Sequence, residues 1–145
     1  MQWLAAVTVV VDDYDAAVAH YVGVLGFALI EDTTLAHGKR FVRVAPGGSG
    51  CALLLARAAD AAQHARIGDQ TGGRVGFFLH TDDFDRDHAL YIARGIVFTG
   101  PPRDEAYGRV AVFRDGYRNL WDLVQPASDH APSGSATDRV ITRGV

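Results

Sequence analysis

The chain has 145 residues, of which 48% are hydrophobic and 21% are charged, and its formal net charge is −3. These values are ordinary for one soluble globular domain with a core. Acidic and basic residues are interspersed, so neither nucleic acid nor an anionic membrane is expected as a partner. No apolar run approaches the roughly 18 residues of a membrane span. Cys51 is the single cysteine, which excludes an intrachain disulfide and a cysteine-based zinc knuckle. The single cysteine fits a reducing cytoplasm, and because no basic n-region precedes the first acidic residues, no signal peptide is expected.

The first half of the chain predicts the order strand, helix and three strands. Residues 3–11 are rich in β-branched residues, as in a strand. The segment DDYD (12–15) supplies an N-cap for a helix that ends at Gly26. Further strands are predicted at 27–35, 40–45 and 51–56, with turns between them.

The second half repeats this order after a connector at 57–73. The predicted elements are a strand at 74–81, a cap at 82–85, a helix at 86–94, strands at 96–100, 109–113 and 120–124, and a loop at 101–108. DDYDAAVAHYV aligns with DDFDRDHALYI, and RFVRVAPGG aligns with RVAVFRDGY. Such a duplication predicts two βαβββ modules, at about 3–56 and 74–126, within a single domain over 1–126. Residues 127–145 are polar and rich in Pro, Ser and Gly, which predicts a flexible tail.

The predicted fold class is α+β, with two tandem modules that form a cupped mixed sheet with helices outside. Strand alternation then assigns the lining of the concave face. That lining is Ala6, Thr8 and Val10; Cys51, Leu53 and Leu55; Gly76, Phe78 and His80; and Leu120, Asp122 and Val124. Trp3 lies at the rim, and Cys51 is expected to be a small buried residue. This mostly apolar lining is typical of a small-molecule pocket. The alternative is that the face is filled by its own side chains or by a partner subunit.

Two segments, VVVDDYDAAVAHYVGVLGF (9–27) and VFRDGYRNLWDL (112–123), resemble the opening and closing segments of the vicinal oxygen chelate superfamily. This group contains glyoxalase I, extradiol dioxygenases, fosfomycin-modifying enzymes and bleomycin-resistance proteins, and the resemblance covers residues 3–126. In the metal-dependent members, the ligands come from the first and last strands of each module. The resemblance maps these positions to Ala6, Gly76, Leu53 and Asp122. Since only Asp122 can bind a metal and a catalytic site needs about three protein ligands, no metal cofactor is expected.

Several polar residues remain as site candidates. His80 and Asp122 share the predicted concave face and could form a hydrogen-bonded pair, or one of them could act as a general base. The alternative for His80 is contact with solvent or a backbone carbonyl at the sheet edge. The loop at 101–108 flanks the cavity in the resembled family, so Arg103 and Tyr107 could supply a charge and a stacking ring. That family has glycine where Arg118 stands, which predicts a different turn here.

Three functions follow from this reading. The first is a metal-free protein that binds a small apolar or aromatic molecule in the cleft, as drug-sequestering resistance proteins do. The second is a metal-dependent lyase, isomerase or dioxygenase of the same superfamily. The third is a metal-independent enzyme that uses His80 or Asp122 as the base. The sequence leaves open whether the protein is an enzyme, and the resemblance implies a homodimer.

Overall fold

The first module consists of four strands and one interrupted helix. A computed structural model describes residues 1–48 and 50–128, and the predicted tail from 129 onward lies outside the described residues. The elements are β1 (Ala6–Val11), α1 (Tyr14–Val18, continued by a π-helical turn over Ala19–Val24), β2 (Ala28–Thr34), β3 (Arg40–Ala45) and β4 (Ala52–Arg57). They form a sheet in the order β1-β4-β3-β2, in which β1 and β4 are parallel and the other pairs are antiparallel.

The second module repeats this arrangement with five strands. A short helix, α2 (Ala61–His64), lies in the connector, and the module contains β5 (Phe77–His80), α3 (Phe84–Ala93), β6 (Val97–Phe98), β7 (Arg103–Glu105), β8 (Gly108–Arg114) and β9 (Leu120–Pro126). Its sheet has the order β5-β9-β8-β6, and β7 also pairs with β8. The α+β fold class is therefore confirmed, with one mixed sheet in each module. Among the residues that the structure describes, no helix is both long and apolar enough to cross a membrane.

The two long helices begin at the aspartates that the sequence marked as caps. The Asp13 carboxylate accepts a hydrogen bond from the Ala16 N–H at 2.7 Å, and Asp83 accepts one from the Arg86 N–H at 3.0 Å. A side-chain acceptor satisfies an otherwise unpaired helix N–H, and negative charge is favourable at that end. The capping interpretation of DDYD and DDFD is thus confirmed.

One hydrophobic core joins the two modules. It contains buried residues of both sheets and both long helices, among them Val9, Val42, Leu55, Phe113, Leu123, Tyr21 and Phe84. Aromatic contacts cross between modules, since the Phe27 and Trp121 ring centroids are 5.7 Å apart. The Tyr91 hydroxyl also donates to the Leu25 carbonyl at 2.8 Å. The face of each sheet that contacts this core is called its inner face. The opposite face, which the sequence analysis predicted to be concave, is called its outer face and points away from the core.

The register of β4 corrects one predicted face. Leu53 and Leu55 are in register with Val7 and Val9, and both leucines are buried in the core. The outer face of the first sheet instead carries Ala6, Thr8, Val10, Ala52, Leu54 and Ala56. The prediction that Cys51, Leu53 and Leu55 line the concave face was wrong by one residue, because the continuous apolar run ALLLA carries no alternation to fix the register. Cys51 precedes the strand and is exposed rather than buried.

A side chain of the connector closes the free edge of β1. The Gln70 Oε1 accepts from the Val10 N–H at 2.8 Å, and its Nε2 donates to the Thr8 carbonyl at 3.0 Å. These are the backbone groups that a neighbouring strand would otherwise use. The connector is thereby attached to the first strand of the chain.

The β8–β9 turn keeps the left-handed residue that a glycine would normally supply. Arg118 has φ = 69°, so the prediction of a different turn was wrong. Its guanidinium donates to the Ile67 carbonyl at 3.1 Å. Gly68 packs so closely on this turn that a Cβ there would overlap the Tyr117 carbonyl oxygen. These contacts offset the cost of about 1 kcal/mol that a non-glycine residue meets in this conformation.

A buried carboxylate organises the same turn. Asp115 is 4% exposed and accepts hydrogen bonds from the Tyr21 hydroxyl at 2.6 Å and the Trp121 indole N–H at 2.9 Å. The backbone N–H groups of Tyr117 and Asn119 donate to it at 2.9 Å each. Burial, together with the negative charge of Asp115, raises the pKa of the Tyr21 hydroxyl above its usual range. Since Tyr21 belongs to α1, this carboxylate links the first module to the second.

His20 forms a second polar link between the modules. The Gly116 N–H donates to the His20 Nε2 at 2.7 Å, which requires that nitrogen to be unprotonated. Burial lowers the pKa of His20, and the charge of Asp115 only partly opposes this effect. The folded protein therefore favours the neutral imidazole.

We expect acid to destabilise the protein through His20. As the pH falls below about 6.5, the unfolded chain binds a proton at this position before the folded chain does, so the free energy of unfolding decreases. This contribution is fully present above the unfolded pKa and is lost as the pH falls toward the folded pKa. Urea denaturation from about pH 8 to pH 5 should show a flatter profile for His20→Asn than for the wild type. His64→Asn, on exposed α2, is the control, and equal slopes in all three proteins would contradict the assignment.

Candidate functional site

The outer face of the second sheet brings together the residues that strand alternation predicted there. Phe78 is in register with Asp122, and His80 is in register with Val124, across the parallel β5–β9 pair. Val112 of β8 lies on the other side of Asp122. An apolar surface therefore surrounds one carboxylate, and Phe78 stands at its edge with 66% of its surface exposed.

Asp122 is a buried acceptor without a donor. It is only 7% exposed, and its Oδ1 receives no hydrogen bond from any residue within 1–48 or 50–128. Burial raises the pKa of Asp122, and the positive charge of Arg103 opposes that shift. An unsatisfied buried polar atom costs about 1–3 kcal/mol. Such an atom in a folded protein calls for a donor from a ligand or an ordered water.

Arg103 lies on β7, in a segment that the sequence analysis assigned to a loop. Its register with Val110 places it on the same outer face as Asp122. The Arg103 Nε donates to Glu105 Oε1 at 3.0 Å, so the guanidinium is held at the rim. Tyr107 follows β7 and is exposed. A three-residue strand is too short to show alternation, which is why the pattern did not reveal it.

His80 and Asp122 do not form the predicted hydrogen-bonded pair within the described residues. His80 is exposed at the end of β5, and its neighbour in register is Val124. Trp3 lies before β1 and is 78% exposed. Thr8 is exposed and uses its carbonyl to bind Gln70. No side chain within 1–48 or 50–128 is hydrogen-bonded to His80 in a way that would orient it as a base.

A cavity of about 830 Å³ lies on the first sheet. Phe41, Leu54 and Ala56 contribute its apolar wall. Arg40 and Arg57 stand over the Tyr14 ring, 5.2 and 5.0 Å from its centroid, and Arg40 also pairs with Asp15 and Asp32 at 2.7 Å each. This wall was missed because the predicted register turned Leu54 toward the core.

A smaller cavity of about 300 Å³ lies where the edges of the two sheets approach. Three predicted lining residues, Thr8, Gly76 and Leu120, meet there together with Gln70 and Arg118. The edges of β1 and β5 therefore enclose a small polar recess.

The Nε of the half-buried Arg43 is a second buried polar atom, and the pattern did not single it out. This nitrogen has no acceptor among the described residues. One terminal nitrogen lies 3.8 Å from Glu31 Oε1, and the guanidinium is 5.9 Å from the Phe41 ring centroid. Arg43 is in register with Leu54, so both residues lie on the outer face of the first sheet. The available signal was a cation in the middle of the apolar strand RFVRVA.

The donor set does not fit a divalent metal ion. Once the register of β4 is corrected, Leu54 rather than Leu53 occupies the first-module position that corresponds to Asp122. The cross-strand neighbours of Asp122 are Phe78 and Val112, neither of which is a ligand. In the part of the chain that the structure describes, no group of three or more His, Cys, Asp or Glu side chains is placed to hold a metal. Ala6 and Gly76 offer no ligand atom either.

The protein is thus an α+β protein of two tandem βαβββ modules that share one core. The outer face of each sheet does not contact that core. The family model described as Glyoxalase/Bleomycin resistance protein/Dioxygenase superfamily matches residues 3–123. The chain belongs to this superfamily.

Individual relatives agree with this assignment. An uncharacterised protein of Shewanella frigidimarina (strain NCIMB 400) is 53% identical over 126 residues, which cover 86% of this chain and 93% of that protein. The crystal structure of UcmS2 matches with a TM-score of 0.74 at 25% identity, over 86% of this chain and 98% of that one. The structure of TnmS3, described as an antibiotic binding protein from Streptomyces sp. CB03234, matches with a TM-score of 0.71 at 32% identity, over 88% and 98% of the chains.

Proposed function

We propose that the protein is a metal-free, cytoplasmic homodimer that binds a small aromatic or apolar molecule. The observation that carries the proposal is Asp122, a buried acceptor without a described donor on an apolar sheet face that points away from the core. A pocket with an apolar wall and a few convergent polar groups is typical of small-molecule binding. TnmS3, 32% identical, is described as an antibiotic binding protein, which supports a ligand of that kind.

The alternatives have less support in the described residues. A metal-dependent lyase, isomerase or dioxygenase would have Asp122 as its single ligand at the positions that the resemblance maps. A general-base enzyme would use His80 without an orienting partner, or Asp122 without a described proton donor next to it. Binding of a small molecule requires only the apolar sheet faces and a few polar groups on them, such as Asp122.

A second copy of the chain would form the other wall of a cleft whose first wall is the outer face of one sheet. The outer faces of both sheets point away from the shared core, so a second chain can pack against them. The first sheet carries Arg43 on this face, and the second carries the buried carboxylate of Asp122. Opposition of the first sheet of one chain to the second sheet of its partner gives complementary charge, which favours association in one register.

The test combines oligomeric state, metal content and ligand binding. We expect a dimer by sedimentation and no stoichiometric metal by mass spectrometry. We also expect an increase in melting temperature with a member of a panel of aromatic natural products and antibiotics. Phe78→Ala should weaken binding of that compound roughly tenfold, because a ring that packs on the ligand is lost.

The control is Ile92→Ala, which removes an exposed side chain on α3, away from the outer sheet faces. It should leave the affinity unchanged. A melting temperature that rises with added Ni, Zn, Mn or Fe, and only in the presence of Asp122, would contradict the metal-free proposal. A strictly monomeric protein that binds nothing in the panel would contradict the binding proposal.

A further inference from the structure

We propose that the ligand is bifunctional. It would be a planar aromatic molecule with a hydrogen-bond acceptor at one end, bound by Arg43, and a hydrogen-bond donor at the other, bound by Asp122 of the second chain. The proposal rests on the function proposed above and specifies the chemistry of the same site.

Asp122 specifies the donor end of the ligand. Its Oδ1 is buried and accepts no hydrogen bond from a described residue, and its neighbours in register, Phe78 and Val112, have no polar side-chain atom. A hydroxyl or amine group of a ligand would satisfy this atom. A ligand carboxylate there would face a buried acceptor and would be rejected.

Arg43 specifies the acceptor end. Its Nε is the other buried side-chain atom without a partner among the described residues, and its contact with Glu31 is long, at 3.8 Å. Charge-assisted hydrogen bonds from a guanidinium to a carboxylate or carbonyl are among the stronger polar contacts.

The internal duplication relates these two anchors. Arg43 of β3 is in register with Leu54 of β4, and Val112 of β8 is in register with Asp122 of β9. The repeat aligns Arg43 with Val112, so each module has one charged and one apolar residue on its central pair of strands. The charge is positive in the first module and negative in the second. It lies on β3 in the first module, but on β9, the counterpart of β4, in the second. When the first sheet of one chain faces the second sheet of its partner, a cation and an anion lie on opposite walls of one cleft.

Aromatic rings accompany both anchors, which indicates a flat ligand. Phe41 lies beside Arg43 and lines the larger cavity, and Phe78 lies beside Asp122 with most of its surface exposed. Large exposed apolar side chains next to a buried polar atom are typical of a binding face. Two rings on opposite walls would stack on the two faces of one planar molecule.

The first experiment measures binding of a designed series of probes by calorimetry. The bifunctional probes are para-hydroxybenzoate, a hydroxynaphthoate with its groups on opposite rings, and a para,para-substituted hydroxybiphenyl carboxylate, which span three lengths. Each is compared with its analogue that lacks the hydroxyl and its analogue that lacks the carboxylate. At least one bifunctional probe should bind about tenfold more tightly than either of its analogues. A series in which no bifunctional probe exceeds its analogues would overturn the proposal.

Single substitutions test which residue binds each end of the probe. Arg43→Leu should remove the advantage of the carboxylate and leave that of the hydroxyl, and Asp122→Leu should do the reverse. Arg109→Leu is a matched control, since Arg109 is an exposed cation of β8 that pairs with Asp104 at 3.4 Å. If the panel yields an antibiotic ligand whose affinity neither Arg43→Leu nor Asp122→Leu changes, the bifunctional proposal fails and the binding function stands.

Mixed dimers test whether the anchors come from different chains. Arg43→Leu and Asp122→Leu chains with different tags are coexpressed, and the heterodimer is isolated by two affinity steps. If each cleft combines Arg43 of one chain with Asp122 of the other, the heterodimer has one cleft with both natural residues, and about half of the wild-type number of tight sites returns. Absence of any tight site in an intact heterodimer would show that the two anchors do not act across chains, and this part of the proposal would be withdrawn.

Discussion

Asp115→Ala is expected to lower the free energy of unfolding by about 3–5 kcal/mol. The substitution leaves buried donors without an acceptor, namely the Tyr21 hydroxyl, the Trp121 indole and the backbone N–H groups of Tyr117 and Asn119. Because domains of this size are stable by only about 5–15 kcal/mol, a large part of the total stability would be lost. Urea denaturation followed by circular dichroism measures the change.

The control for this prediction is Asp104→Ala. The Asp104 side chain is 80% exposed and pairs with Arg109 at the surface, so its loss should cost no more than about 0.5 kcal/mol. Tyr21→Phe supplies a second test, because it removes one donor and keeps the ring. The effects of Tyr21→Phe and Asp115→Ala should be strongly non-additive, since both remove the same hydrogen bond. Additive effects, or an Asp115→Ala cost equal to that of Asp104→Ala, would show that the carboxylate does not hold the modules together.

Asp122→Leu is expected to raise the free energy of unfolding at neutral pH and to weaken ligand binding. Replacement of a buried polar group that lacks its partner by an apolar side chain should gain about 1–2 kcal/mol. Leucine is the matched choice because Leu54 occupies the corresponding position of the first module. Ligand affinity should fall together with this gain, since the unpaired oxygen is the proposed anchor.

The gain from Asp122→Leu should depend on pH in a defined direction. Burial raises the pKa of folded Asp122, so the folded protein tolerates the protonated form better than the charged form. The wild type therefore loses stability at this residue as the pH rises from about 4, the unfolded pKa, through the folded pKa. Melting curves should show a larger difference between Asp122→Leu and the wild type at about pH 7.5 than at about pH 4. A variant that is less stable than the wild type at neutral pH would mean that Oδ1 already has a donor.

The parts of the fold set by local chemistry were accessible from the sequence. Asp13 and Asp83 cap helices through groups three residues away, and the duplicated order of strands and helices follows from the repeat. The face shared by Phe78 and Asp122 was also predictable, because alternation in β5 and the polar residue within β9 fix their orientation.

What the sequence did not reveal depends on contacts between distant segments. The run ALLLA is apolar throughout, so only pairing with β1 and β3 determines that Leu53 faces the core and Leu54 the outside. The hydrogen bond from Tyr21 to Asp115 joins residues 94 positions apart, and no local pattern marks it. Arg43 was overlooked for the same reason, since its buried nitrogen is visible only once the neighbouring strands are in place.

The carboxamide of Gln70 has a consequence for the behaviour of the protein at high concentration. The β1 segment AVTVVV is rich in β-branched residues and lies at the border of its sheet, where another molecule could add a strand. Gln70 occupies the Val10 N–H and the Thr8 carbonyl, so an intruding strand finds the central donor and acceptor already taken. One glutamine thereby shields part of this sheet edge against the addition of a strand from another molecule.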